Sequence, residues 1–304
     1  MNVKLKSALV SAAVLSLMVA HAVPSLAQEQ SPPNTRQEQS ATANSAQSQV
    51  DQDVTKKAKE QRDKVIADAV TALNETKKAL ALLEDKKTDE TLAALERATG
   101  KLELILARDP KLALAPVDTR VVIRDLYSEP DTVKDMIKKA RELLDGGEVQ
   151  KARPLLAGLV SDVVFETANL PLATYPEAIK SAVRLIDEGK MDEAKVVLQS
   201  ALNTLVVVAD VVVPLPAVRA QHLLKKAEKL TENDKRDDKM NEELGKLLAE
   251  VRKQIQLAEI LGYGKNGHFE PIYEQVKQIE EKTSGGKSGK GWLDKIKEQI
   301  SNLF

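Results

Sequence analysis

The stretch LIDEGKMDEAKVVL, residues 185–198, decides the fold of this chain. It reads as the end of one helix, a polar turn at Gly189 and the start of a second helix, because glycine readily takes the left-handed conformation that ends helices. Two stretches share this pattern, LLEDKKTDETLAAL at 82–95 and LLDGGEVQKARPLL at 143–156. Each predicts an antiparallel helical hairpin. Their starts are separated by 61 and then 42 residues, and helical hairpins resemble one another in any case, so no solenoid is predicted.

The helical pattern continues over most of residues 54–283, where apolar residues recur every three or four positions. Two short β-branched stretches, 119–124 and 161–167, interrupt it and are predicted to pair as a small two-stranded element. Residues 205–213 are rich in valine but continue a helical stripe, so we expect a buried helix that runs up to Pro214. The expected fold class is therefore mainly α, with antiparallel hairpins arranged in a bundle.

The N-terminal region differs in composition from the helical region. Residues 1–27 contain two lysines, an apolar run and the small residues Ser25 and Ala27, which is the pattern of a cleaved signal peptide. The apolar run is too short for a comfortable membrane span, so we expect a soluble periplasmic protein that begins at Gln28 and has no integral membrane contact. Residues 28–53 are rich in glutamine and serine and are predicted to be a disordered linker.

The C-terminal residues 284–304 read as a glycine-rich tether followed by a short amphipathic helix. The sequence GGKSGKG at 285–291 lacks the spacing of a phosphate-binding loop, and no strand is predicted before it, so we interpret it as flexible. Trp292 shares one face of the following helix with three aliphatic residues. We expect that face to dock on its own domain, to pair with another subunit or to touch a membrane interface.

Composition excludes several kinds of site. The 304 residues include no cysteine, three histidines and 3% aromatic residues, and the formal net charge is −1. Disulfides, thiolate metal sites and cysteine nucleophiles are excluded, and binding to nucleic acid through stacked aromatics or a basic surface is not expected. His222 and His268 each lack a second histidine at ligand spacing, so we predict no metal site and no cofactor. Histidine titrates near neutral pH, so either residue could respond to acid.

Three aspartates are the remaining candidates for binding or structural roles. Asp109 and Asp118 lie beside two prolines, where they either hold a tight loop or form the carboxylate pair of a hydrolase. Asp210 is the one charged residue in a valine-rich stretch. A buried carboxylate there needs a partner, for which Arg219 and Arg120 are the candidates. An exposed position and a functional carboxylate are the other interpretations of Asp210.

Three separated stretches resemble the YfdX protein family, in the same order along the chain. They are LILARDPKLALAPVD at 104–118, NLPLATYPEAIKSAVRLID at 169–187 and EAKVVLQSALNTLVVVADVVVPLPAVRAQ at 193–221. The resemblance covers about residues 54–282. It implies a mainly α-helical exported protein of proteobacteria that is associated with envelope stress, including acid stress. It also implies no agreed enzymatic activity, cofactor or catalytic residue.

We therefore expect a non-enzymatic periplasmic protein that binds or protects a protein partner or client and forms a homo-oligomer. Grooves between helical hairpins can accept apolar segments, which gives such a role a physical basis. The alternatives are a small molecule held between helices and a hydrolase that uses carboxylates around Asp109 and Asp118. A shallow apolar groove favours protein binding, whereas a deep polar pocket with converging acids favours the hydrolase.

Overall fold

The computed structural model describes residues 40–265 and 267–302, apart from the side chains of Asp210 and Val211. Its elements, in chain order, are α1 (Ala41–Asn44), α2 (Gln47–Arg62), α3 (Ala67–Glu84), α4 (Thr88–Arg108), β1 (Leu114–Arg124), α5 (Pro130–Asp145), α6 (Val149–Gly158), β2 (Asp162–Pro171), α7 (Tyr175–Asp187), α8 (Met191–Asn203), β3 (Val206–Pro214), α9 (Leu215–Thr231), α10 (Asp238–Ile260), α11 (Glu270–Thr283) and α12 (Asp294–Ser301). The fold is mainly α, as predicted. Across the described residues, none of the helices is both long and apolar enough to cross a bilayer.

The central part of the chain repeats one unit three times, a helical hairpin followed by a strand. The hairpins α3/α4, α5/α6 and α7/α8 lead directly into β1, β2 and β3. The three similar stretches of the sequence are the turns of these hairpins. Each hairpin brings the chain back to the end of the sheet at which the hairpin began, whereas each strand takes the chain to the opposite end. Successive hairpins therefore lie at opposite ends of the sheet.

The three strands form one antiparallel sheet in the order β1–β2–β3. Thr119 lies opposite Thr167, which confirms the predicted pairing of the two β-branched stretches. The helix expected at 205–213 is wrong, because this segment is strand β3 and pairs with β2 along its length. Valine is stiff at its first side-chain torsion and packs well on a pleated surface, so the open edge of β2 favours the strand. The sheet therefore has three strands rather than two.

The first and third hairpins form a four-helix bundle at one end of the sheet. In this bundle α3 packs against α4 and α8, and α7 packs against α8 and α4. Small and large apolar residues interdigitate in its core, among them Ala72, Leu83, Leu95, Leu102, Ile179 and Leu198. At the other end, α5 of the second hairpin packs against α10, and α11, α12 and α1 complete a second helical layer around α9 and α10.

The N-terminal helices correct the prediction of a disordered linker at 28–53. From residue 41 onward the chain is helical, and α2 covers one face of the sheet. Val50, Val54 and Ala58 recur every four residues and pack in one cluster with Phe165. This sparse stripe is too weak to stand alone, but the apolar sheet face gives it a partner. The signal peptide predicted at 1–27 and the linker residues 28–39 lie outside the described residues.

The C-terminal helix docks on its own domain, which is one of the three expected arrangements. Leu293, Ile296 and Ile300 are at most 1% exposed and share a core with α9 and α10. The glycine-rich segment before α12 is also fixed to α9, because the backbone amide of Gly289 donates a hydrogen bond of 2.9 Å to the Thr231 carbonyl. A side chain at Gly289 would meet the Trp292 ring, because a Cβ there would lie 2.2 Å from it.

Candidate binding groove

An open groove runs along the first bundle between α4 and α7, with a volume of about 1190 Å³. The half-buried residues Leu92, Ala93 and Val183 contribute its apolar surface. Gly100 also lines it, and nothing lies within 4 Å of the position that a Cβ would occupy there. The missing side chain widens the groove at this point. The arrangement is a shallow apolar groove rather than a deep polar pocket.

The two walls of the groove carry opposite charges. On α4, Asp89, Glu96 and Glu103 line it at intervals of seven residues, so they follow one line along the helix. On α7, Lys180 and Arg184 line the opposite side one turn apart. An acidic wall therefore faces a basic wall across an apolar floor.

Two further charged residues line the groove. Arg97 of α4 donates to Glu75 of α3 at 2.8 Å and is the one basic residue on the acidic wall. On the basic wall, Lys180 in turn pairs with Glu177 of its own helix at 3.3 Å. Asp187 is the last residue of α7 and lies beyond the basic pair.

Ion pairs between α3 and α4 hold the acidic wall in place. Asp68 accepts from Lys101 at 2.8 Å and from Arg108 at 2.7 Å. The hydrogen bond from Lys101 is the largest cause that holds the pKa of Asp68 below its ordinary value, against an opposing effect of burial. The hydrogen bond from Arg97 lowers the pKa of Glu75 in the same way. Both carboxylates therefore favour the charged form in the folded chain.

Asp109 and Asp118 are exposed, Asp109 at the end of α4 and Asp118 at the bulge of strand β1. The Asp109 carboxylate accepts from the Lys111 amide at 3.2 Å, and the Asp118 carboxylate accepts from the Thr119 amide at 2.9 Å. Neither lines the groove between α4 and α7. The Asp109 contact favours the interpretation that this residue holds the tight loop after α4, whereas Asp118 lies within a strand. Among the residues with described side chains, no group of three or more His, Asp or Glu could hold a metal ion.

The two arginines considered as partners of Asp210 have other carboxylate partners. Arg219 is 1% exposed and donates to Asp125 through both guanidinium nitrogens, one of them at 3.0 Å. Arg120 on β1 pairs with Glu166 on β2 at 2.5 Å. The side chain of Asp210 itself lies outside the described residues. Sequence reasoning named Arg219 but missed Asp125, which precedes it by 94 positions.

Arg219 belongs to a buried polar network that joins the ends of β1 and β2 to α9 and α10. Ser161 donates to Asp125 at 2.9 Å, and its amide donates to the Tyr263 hydroxyl at 2.9 Å. Tyr263 in turn donates to Asp162 at 2.9 Å. A neighbouring cavity of about 20 Å³ has room for one water molecule. The network is built to hold elements together, and we assign it a structural role.

The remaining candidates also make structural contacts or none. His222 on α9 is 8% exposed, and its Nε2 lies 2.7 Å from the Asp53 carboxylate on α2. This contact ties the N-terminal helix to the second helical layer. His268 is exposed in the loop before α11. Trp292 is half-buried against the cluster that holds α12.

Residues 72–211 match the family model described as YfdX protein. A solved crystal structure of YfdX from Salmonella Typhi is similar to this chain, with 19% sequence identity and a TM-score of 0.34. That similarity covers 49% of this chain and 91% of the other. No curated protein matches the chain. The segment matched by the family model contains both walls of the groove and runs into β3.

Proposed function

We propose that this chain, whose residues 72–211 match the YfdX family model, is an exported periplasmic protein of that family that binds and protects client proteins under envelope stress, including acid stress. It acts without catalysis. The observation that carries the proposal is the open groove between α4 and α7, with its apolar floor and oppositely charged walls.

The shape of the groove supports a protein segment as its occupant. Small-molecule sites are usually clefts of about 300–1,000 Å³ that bury most of the ligand. The groove here is larger and open along one side. Such a surface suits an amphipathic helix laid lengthwise, with its apolar stripe on the floor.

The charges on the walls define the polarity of that helix. Its side next to Asp89, Glu96 and Glu103 would carry lysine or arginine, and its side next to Lys180 and Arg184 would carry glutamate or aspartate. Electrostatic complementarity of this kind sets orientation and register more than raw affinity. A client with the reverse arrangement would match the walls only when it lies in the opposite direction along the groove.

We expect Gly100→Trp to weaken binding of a helical peptide of this polarity by about tenfold or more, which is about 1.4 kcal/mol or more. The indole would occupy the open space at Gly100 in the groove. Fluorescence anisotropy of a labelled peptide measures the effect. Gly245→Trp on α10 is the matched control, because Gly245 is also helical with nothing within 4 Å of its Cβ position. Equal affinities of the two variants, or equal binding of a peptide that carries glutamate on both flanks, would contradict the groove proposal.

Acid should loosen the α3–α4 pair below about pH 4, where carboxyl groups with ordinary pKa values protonate. Because the folded pKa values of Asp68 and Glu75 are lowered, their stabilisation is present above the unfolded values and is lost as pH falls through the folded ones. The midpoint of urea unfolding, followed from pH 6 to pH 3, should fall less steeply for Asp68→Asn. Asp192→Asn is the control and should keep the wild-type slope, because Asp192 is 96% exposed and an exposed ion pair such as the one it makes with Lys195 contributes little to stability. Identical slopes for all three proteins would contradict this assignment.

The periplasmic location rests on the signal-peptide pattern of residues 1–27. The intact mass of the protein recovered from a periplasmic extract should equal that of residues 28–304. Recovery of a form that retains Met1 would contradict export with cleavage.

A further inference from the structure

Strand β3 has an open edge. It pairs with β2 on one side, and the described residues provide no strand on the other side. Proteins usually protect such edges with charged side chains, proline, a bulge or a covering element. Residues 206–213 contain neither lysine nor proline, and their one charged residue, Asp210, is the extra residue of a bulge. Val207 and Val212 are 57% and 50% exposed.

The sequence of this edge is nearly palindromic. The stretch is VVVADVVV, residues 206–213, and its centre lies between Ala209 and Asp210. Three pairs of positions at equal distances from this centre have valine at both positions. The pairs are Val206 with Val213, Val207 with Val212 and Val208 with Val211. Two copies of the strand related by a two-fold axis are antiparallel, and each residue then meets its palindromic counterpart.

The bulge in β3 makes this pairing geometrically consistent. Val207 lies opposite Ala168 and Val212 lies opposite Val164. Ala168 and Val164 are four residues apart on β2, so they lie on the same face of the sheet. In a regular strand, residues five positions apart face opposite sides. The extra residue, Asp210, thus brings Val207 and Val212 to one face, as a two-fold axis between the strands requires.

The bulge also excludes a slip of one residue. That slip would place Val208 opposite the partner subunit's Val212, and Val208 and Val212 lie on opposite faces of the sheet because their β2 neighbours, Thr167 and Val164, are three residues apart.

We propose that β3 pairs with β3 of a second copy of this chain, which joins the two sheets into one of six strands. Val207 then packs beside the partner subunit's Val212 on the open face, and this contact covers the two exposed valines of each copy. The pairing is independent of what the groove binds.

Sedimentation of the mature protein over a range of concentrations tests the proposal. We expect a dimer for the wild type, and at least tenfold weaker association for Val207→Lys and for Val212→Lys. The double variant Val207→Lys/Val212→Glu should restore the dimer, because the new lysine would face the new glutamate across the two-fold axis. Val196→Lys is the control, since Val196 is 65% exposed on α8, away from the sheet.

A monomeric wild type, or single lysine variants that associate as well as wild type, would overturn the proposal. So would a folded double variant that stays dissociated, because the register alone predicts its rescue. If a variant loses its helical circular dichroism, hydrogen exchange of the wild type decides. Amides of 206–213 that become protected as the concentration rises support the pairing, and amides that exchange equally fast at every concentration exclude it.

Discussion

Replacing Arg219 with methionine should lower the free energy of unfolding by about 3–5 kcal/mol, because the change leaves a buried carboxylate without its cationic partner. The Asp125 side chain is only 9% exposed and receives hydrogen bonds from both Arg219 and Ser161. Tyr127 adds to the cost, since its ring lies 5.1 Å from the guanidinium carbon and loses a cation–π contact. Urea denaturation monitored by circular dichroism measures the effect.

A second ion pair provides the matched control for this result. Arg120 and Glu166 have the same chemistry, but their side chains are 46% and 22% exposed. Arg120→Met should therefore cost about 1 kcal/mol or less. The double variant Arg219→Met/Asp125→Leu should recover much of the stability lost by Arg219→Met, because it removes both charges. If the two single variants lose the same free energy of unfolding, burial does not increase the contribution of the Arg219 ion pair to stability.

Phe165→Ala should also cost about 3–5 kcal/mol, because it leaves a cavity where the sheet meets two helices. Phe165 is fully buried in the central strand and packs in one cluster with Val50 of α2 and Leu215 of α9. Since this cluster anchors α2 on the sheet, hydrogen exchange in residues 47–62 should accelerate more than exchange in the first bundle.

Ile123→Ala is the control for Phe165→Ala. Ile123 lies on the neighbouring strand but is 44% exposed, so its loss should cost about 1 kcal/mol or less. A similar loss of stability in both variants would contradict the assignment of α2 to the core. Unchanged exchange in α2 after Phe165→Ala would contradict it as well.

Local sequence patterns predicted the hairpins because each turn carries its own signal, such as the glycine at 189 with a positive φ. They failed at β3 for a physical reason. A short run of valines is compatible with a buried helix and with a strand, and only the free edge of β2 decides between them. They failed at α2 because Val50, Val54 and Ala58 have meaning only opposite an apolar sheet face.

The groove could not be predicted from the sequence, although the charged residues of both walls are present in it. Acidic residues at seven-residue intervals on α4 look like any solvated helical face until α7 is placed beside them. The carboxylates that the sequence did single out, Asp109 and Asp118, accept hydrogen bonds from the backbone amides of Lys111 and Thr119 and lie outside the groove. The groove exists only because α4 packs beside α7, and this packing depends on contacts between distant parts of the chain.

Because hairpins and strands alternate, neither end of this molecule is formed by one continuous part of the chain. The first bundle combines hairpins one and three, while the second layer combines hairpin two with α9 and α10. A cut between hairpins two and three therefore splits both ends at once. A fragment that stops after β3 would keep the first bundle but would leave α5 without α10. The chain must thus be synthesised almost to its end before its interleaved halves can be completed, and it should fold as one cooperative unit of high contact order.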